Sequence, residues 1–97
     1  MEETVLAELV SEMREDFQIP PYFSDAQLSM YAKEGYAYLE QLNPGCEPVN
    51  DLICRSLLKN YMYYAVHHKV NEYIENYKSA IVTWQLETEV VVDDTTT

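Results

Sequence analysis

Nearly everything that breaks a helix is crowded into two short windows of this chain: Pro20-Pro21, and the run from Pro44 through Gly45 to Pro48. Apart from Gly35 no other proline or glycine occurs, and residues 49–97 contain neither. Proline lacks the backbone donor and clashes with the preceding turn, and glycine loses more backbone entropy than any other residue. Stretches free of both are where helices can run. Within them the apolar residues recur at spacings of three and four, the period of an amphipathic helix. The expected fold is all-α, with four short helices in a small orthogonal or irregular bundle and an extended C-terminal tail.

The first helix is expected over Thr4–Phe17, with Val5, Leu6, Leu9, Val10, Met13 and Phe17 on one face and Glu2 and Glu3 at the positive end of its dipole. Residues 18–23 form an extended connector, because Ile19 precedes a proline and is pushed out of helical geometry. Ile19, Tyr22 and Phe23 are expected to tuck onto the core. Ser24 with Gln27 three residues on is a capping-box start for the second helix. Its face is Leu28, Tyr31, Ala32, Gly35, Leu39 and Leu42, and Gly35 in that stripe predicts a close helix crossing. Asn43-Pro44-Gly45 ends it. After a short loop Asn50 caps a third helix that runs toward Val66 on Ile53, Leu57, Leu58, Tyr61, Tyr64 and Ala65. Between His67 and Asn71 the pattern falters. A break is expected there, since an uncapped helix of about 40 residues is unusual in a globular domain, and Asn71 can cap a fourth helix carrying Tyr73, Tyr77, Ile81 and Trp84.

These elements make one helical domain over residues 1–89, since a chain of 97 residues is too short for two cores. Residues 90–97 are expected as a flexible tail: Val90, Val91 and Val92 are β-branched and have no strand to pair with. Either the tail is a solvated terminus or it is an arm that docks on a neighbouring subunit.

Charge narrows the partners. The net charge is −11, and nine of those excess negative charges lie in residues 1–16 and 87–97. Only six Lys and Arg are scattered along the chain, too few to neutralise phosphates, so sequence-specific nucleic-acid binding and anionic membranes are not expected. No apolar run approaches the roughly 20 residues needed to span a bilayer, which points to the cytoplasm. Basic protein partners, or a conduit that DNA passes without adhering, remain compatible.

Catalytic chemistry has no visible seat. Two glycines cannot build a phosphate loop. His67 and His68 are adjacent, about 100° apart on a helix, and cannot jointly hold a metal. Cys46 and Cys54 read as ordinary small residues, and Glu72 with Glu75 as a solvated face. No catalytic, cofactor or metal residue is assigned. The nine tyrosines are the distinctive content, each with an apolar body and one hydrogen-bonding tip. They suit either the edge of a thin core or a surface buried against a partner. Tyr36, Tyr38, Tyr63 and Tyr73, with Val90, Val91 and Val92, are the candidate interface residues, on the expectation that the aromatic helix faces exceed what one interior can bury.

Taken in order, the motifs resemble a known group. Ile19-Pro20-Pro21-Tyr22-Phe23-Ser24-Asp25-Ala26-Gln27-Leu28, leading to a helix with Tyr31, Ala32, Tyr36 and Leu39, resembles the opening of the small head-tail connector (adaptor) proteins of tailed bacteriophages. The Leu57-Leu58-Lys59-Asn60-Tyr61-Met62-Tyr63-Tyr64 helix and Asn71-Glu72-Tyr73-Ile74-Glu75-Asn76-Tyr77-Lys78-Ser79-Ala80-Ile81 are similar to that family's second half, with Lys78 where arginine is more usual. The resemblance covers about Val5 to Glu89 and is one of aromatic and apolar positions. It implies a non-enzymatic protein that forms a homo-oligomeric, dodecameric ring on the portal protein after DNA packaging. That ring meets the tail or a stopper protein at the capsid-tail junction of the virion, and is assembled in the host cytoplasm. The departure is the loop Asn43 to Val49, which differs from the usual ending. The alternative, from charge alone, is a small acidic helical module that inhibits or regulates a basic protein.

Overall fold

The computed structural model describes residues 1–96, with side chains described through Thr88. Five helices follow one another: α1 (Glu3–Phe17), α2 (Asp25–Leu42), α3 (Leu52–Val66), α4 (Val70–Asn76) and α5 (Lys78–Thr96). No strand occurs among the described residues, and none of their helices is long and apolar enough to cross a membrane.

The α2–α3 pair is the most extensive helix contact, and α1 lies against both. What brings α2 and α3 together is Gly35. A Cβ built there would stand 2.7 Å from Tyr61 Cδ1 and 2.9 Å from Leu58 Cδ1, so the missing side chain is the space into which α3 packs. Gly35→Ala is therefore expected to lower stability by about 1–3 kcal/mol through overpacking, although alanine gains roughly 1 kcal/mol in helix propensity. A lower urea midpoint with an unchanged slope is the signature; a raised midpoint would mean that α3 moves aside without loss.

Capping decides where the helices begin. The Ser24 hydroxyl accepts the Gln27 backbone N–H at 3.1 Å, as the capping-box pattern predicts. At α3 the cap is Asp51 rather than Asn50: its Oδ1 accepts the N–H groups of Ile53 and Cys54 at 3.0 and 3.1 Å. Asn50 is held in the preceding turn by Glu47, whose carboxylate accepts both its backbone and side-chain N–H. Ile53 consequently lies outside the core, 46% exposed, and Cys54 takes the buried position that faces inward with Leu57, Leu58, Tyr61 and Met62.

The break between α3 and α4 is present, but Lys69 and not Asn71 precedes the new helix. His68 adopts a left-handed φ of 57°, its N–H reaches Ala65 O and the Lys69 N–H reaches Tyr64 O. This is the Schellman pattern of 6→1 and 5→2 bonds, with histidine in the position glycine usually fills. The expected fourth helix is itself divided at Tyr77, whose φ of −103° and ψ of 5° depart from helical values while its N–H still bonds Tyr73 O. Four expected helices thus become five. Over residues 90–96 the backbone continues as α5 rather than as an extended tail. Nothing between Lys78 and Thr97 removes a donor or favours a turn, and each β-branched residue lowers helix propensity only by some tenths of a kcal/mol.

In the first connector Ile19 is buried and Phe23 packs on the core, but Tyr22 points outward at 80% exposure. The Phe23 N–H bonds Pro20 O, and this tight turn throws Tyr22 away from the interior.

An ionic strap ties α1 to α3. Arg55 donates through both Nε and a terminal nitrogen to the Glu12 carboxylate and also bonds Pro48 O, while Lys59 bridges Glu12 and Asp16 at 3.1 and 2.6 Å. The hydrogen bond from Arg55, aided by Lys59, outweighs burial and holds the Glu12 carboxyl at about 2, well below its usual 4.5. A carboxyl depressed on folding adds stability above its unfolded pKa and loses it as pH falls through the folded one. Acid unfolding should therefore steepen between pH 4.5 and about 2, and Glu12→Gln should flatten that part of the profile. An identical acid limb in the variant would assign the sensitivity to other carboxylates.

Candidate interaction surface

The tyrosines form a continuous aromatic cluster centred on Tyr73. Tyr73 is fully buried and its hydroxyl donates to Leu57 O at 2.8 Å. Its ring stacks on Tyr77 at 4.7 Å and meets Tyr61 edge-on at 5.3 Å, with Tyr64 at 5.7 Å and Tyr38 at 6.3 Å. The Tyr77 hydroxyl in turn donates to Asn60 Oδ1 at 3.0 Å. Burial pushes the Tyr73 phenol well above its ordinary value, so it remains a neutral donor. Tyr73 is thus a core residue and not part of an interface. Here one chain's interior does accommodate most of its aromatic faces, because three helices contribute rings to the same region and each ring covers its neighbours' edges.

The remaining candidates are dispersed. Tyr38 is half-buried against Tyr61 and Tyr73. Tyr36 is half-buried beside Met1, Val5, Pro48 and Val49. Its hydroxyl donates to Cys46 O at 3.3 Å, and the nearby Glu40 carboxylate, ahead of burial, raises it to about 12. Tyr63 stacks on Phe17 at 4.7 Å and takes the edge of His67 at the same distance. Val5 and Phe17, which neighbour Tyr36 and Tyr63 respectively, are twelve residues apart on α1, about 18 Å along its axis. These tyrosines therefore do not share one surface. The side chains of Val90, Val91 and Val92, proposed as a docking arm, lie outside the described residues.

What the structure leaves uncovered is different. Leu52 is 76% exposed at the first turn of α3, with Ile53 beside it, and Val82 and Leu86 are exposed one turn apart on α5. Tyr22 and Met30 stand out at the α1–α2 connector and on α2. The two walls at the α3–α5 end are held by Trp84, which is buried and donates its Nε1–H to Asp51 Oδ2 at 2.9 Å. Gln85 adds a bond to Leu42 O, and Thr88 one from Asn43. The sequence marks this surface only through the apolar Leu52-Ile53 pair at the start of α3, a weak signal because the adjacent pairs Leu57-Leu58 and Tyr61-Met62 are both buried.

No buried side-chain polar atom lacks a partner among the described residues. Cys46 and Cys54 are both free and buried, and desolvation pushes both thiols upward, so neither is poised as a thiolate. No group of three metal-ligating side chains comes together among the described residues. Comparison with family models, with curated proteins and with solved structures finds no match.

Proposed function

We propose that this chain is a structural subunit of a tailed-bacteriophage head-tail connector, building a ring on the portal after DNA packaging and joining the capsid to the tail at their junction in the virion. Its role is to hold neighbours together and carries no catalysis. The observation behind this reading is that the core closes without them, yet large apolar side chains stand exposed on several different elements: Tyr22 and Met30, Leu52 and Ile53, Val82 and Leu86. A ring subunit needs two unlike faces, one for each neighbour, and a further face for the proteins above and below. The order of aromatic motifs from Ile19 to Ile81 supports the same assignment, and the acidic ends suit a conduit to which DNA must not adhere.

Sedimentation and electron microscopy of the concentrated chain, alone and with a cognate portal, test the reading. Closed rings of fixed stoichiometry, or stable seating on the portal, are the expected results. A chain that stays monomeric and ignores the portal ends the proposal. The net charge of −11 favours one other reading, a small acidic module that binds a basic protein. Tight, salt-sensitive, one-to-one binding without rings is its signature.

A further inference from the structure

We propose that the groove between the first turn of α3 and the outer face of α5 docks a cationic amphipathic helix of another protein. The inference stands apart from the connector reading, since a chain that forms no ring could still possess this site.

The groove encloses about 300 Å³. Ile53 makes one wall, Ala80 and Thr83 the other, the edge of Trp84 the floor, and Glu87 one end. Leu52, next to Ile53 in the first turn of α3, stands 76% exposed. From Ser79 to Glu87 the groove follows nine residues of α5, about 12 Å or two helical turns, which suits one or two apolar side chains spaced three or four apart on a partner helix. The walls are fixed before anything binds, because Asp51 caps α3 with one oxygen and accepts Trp84 Nε1–H with the other.

Charge selects the occupant. Residues 79–97 carry four acids and no base, and Lys78 is the sole cation next to the groove in sequence. The Asp51 carboxylate already accepts three N–H donors, so the negative charge at the groove open to a partner is that of Glu87. A second copy seated groove to groove would bring another Glu87 and another acidic α5 end to this rim, and like charges in contact oppose that pairing. Phosphate-bearing surfaces meet the same repulsion. A helix with an apolar ridge flanked by Lys or Arg satisfies both the floor and the rim.

The test uses the full chain and a synthetic peptide with leucines on one helical face and lysines on the other. Trp84, the only tryptophan, reports from the groove floor. Binding with a shift of Trp84 emission is expected for this peptide. Neither a scrambled peptide of identical composition nor the same helix with glutamate for lysine should bind. Leu52→Gln combined with Ile53→Gln should weaken binding by about tenfold or more with an unchanged circular dichroism spectrum, because both side chains are exposed. Glu87→Gln should weaken it less and reduce its salt dependence. Absence of binding, equal binding of the scrambled peptide, or indifference to the double variant overturns the proposal. So does a double variant that abolishes self-association of the chain alone, which would give the groove to a second copy.

Discussion

Tyr73→Ala is expected to cost about 3–5 kcal/mol, the range for removing a large aromatic side chain from a packed interior. A domain of this size has roughly 5–15 kcal/mol in total, so the variant should melt far below the parent or fail to fold. The reason is its position. Tyr73 is in aromatic contact with four other tyrosines contributed by α2, α3 and the end of α4, and its removal empties the place where they converge. Tyr73→Phe separates ring from hydroxyl. Leu57 O already takes part in the α3 ladder, so losing the phenol donor should cost only about 1 kcal/mol. Thermal unfolding followed by far-UV circular dichroism measures both. A small loss for alanine would show that the cluster closes over the gap.

The second large effect is expected at Trp84. Its indole is buried and, among the described residues, contributes the one hydrogen bond from α5 to the start of α3, at Asp51. Trp84→Ala should cost about 3–5 kcal/mol through the cavity, with a further contribution from Asp51, which loses one of its three donors. Trp84→Phe retains most of the apolar volume and should recover most of the loss. If the alanine variant melts like the parent but no longer assembles, Trp84 belongs to an intersubunit contact instead of the monomer's core.

Much of the architecture was legible from local chemistry. Ser24 with Gln27 located the start of α2, Gly35 announced the α2–α3 crossing, and the Val5-to-Met13 stripe found its place in the core unchanged. The misplacements have specific causes. Asn50 and Asp51 are both good capping residues; Glu47 holds Asn50 in the preceding turn through its backbone and side-chain N–H groups, and Asp51 caps the helix. His68 ends a helix in a left-handed conformation that is uncommon outside glycine, though histidine, like asparagine and aspartate, is enriched there. No sequence pattern flags it. The kink at Tyr77 is accompanied by its hydrogen bond to Asn60, a contact that exists only once α3 and α4 are packed together.

The tyrosines mark the limit of composition as a guide to an interface. Nine of them in a short chain were expected to exceed one interior, yet Tyr38, Tyr61, Tyr64, Tyr73 and Tyr77 largely cover one another. Of the exposed apolar groups, Leu52 and Ile53 lie where α3 begins and Val82 and Leu86 along α5, while Tyr22 and Met30 stand at the α1–α2 connector and on α2.

The double duty of Asp51 reaches beyond local stability. One carboxylate is the common anchor for the α3 amide groups and the α5 indole, so the last helix cannot swing away without breaking a hydrogen bond to the residue that caps the turn presenting Leu52 and Ile53. Motion at the C-terminal end and the shape of that apolar lip are geared to each other. Tension applied to α5 by a bound neighbour would be felt at the start of α3 as the release of a single latch.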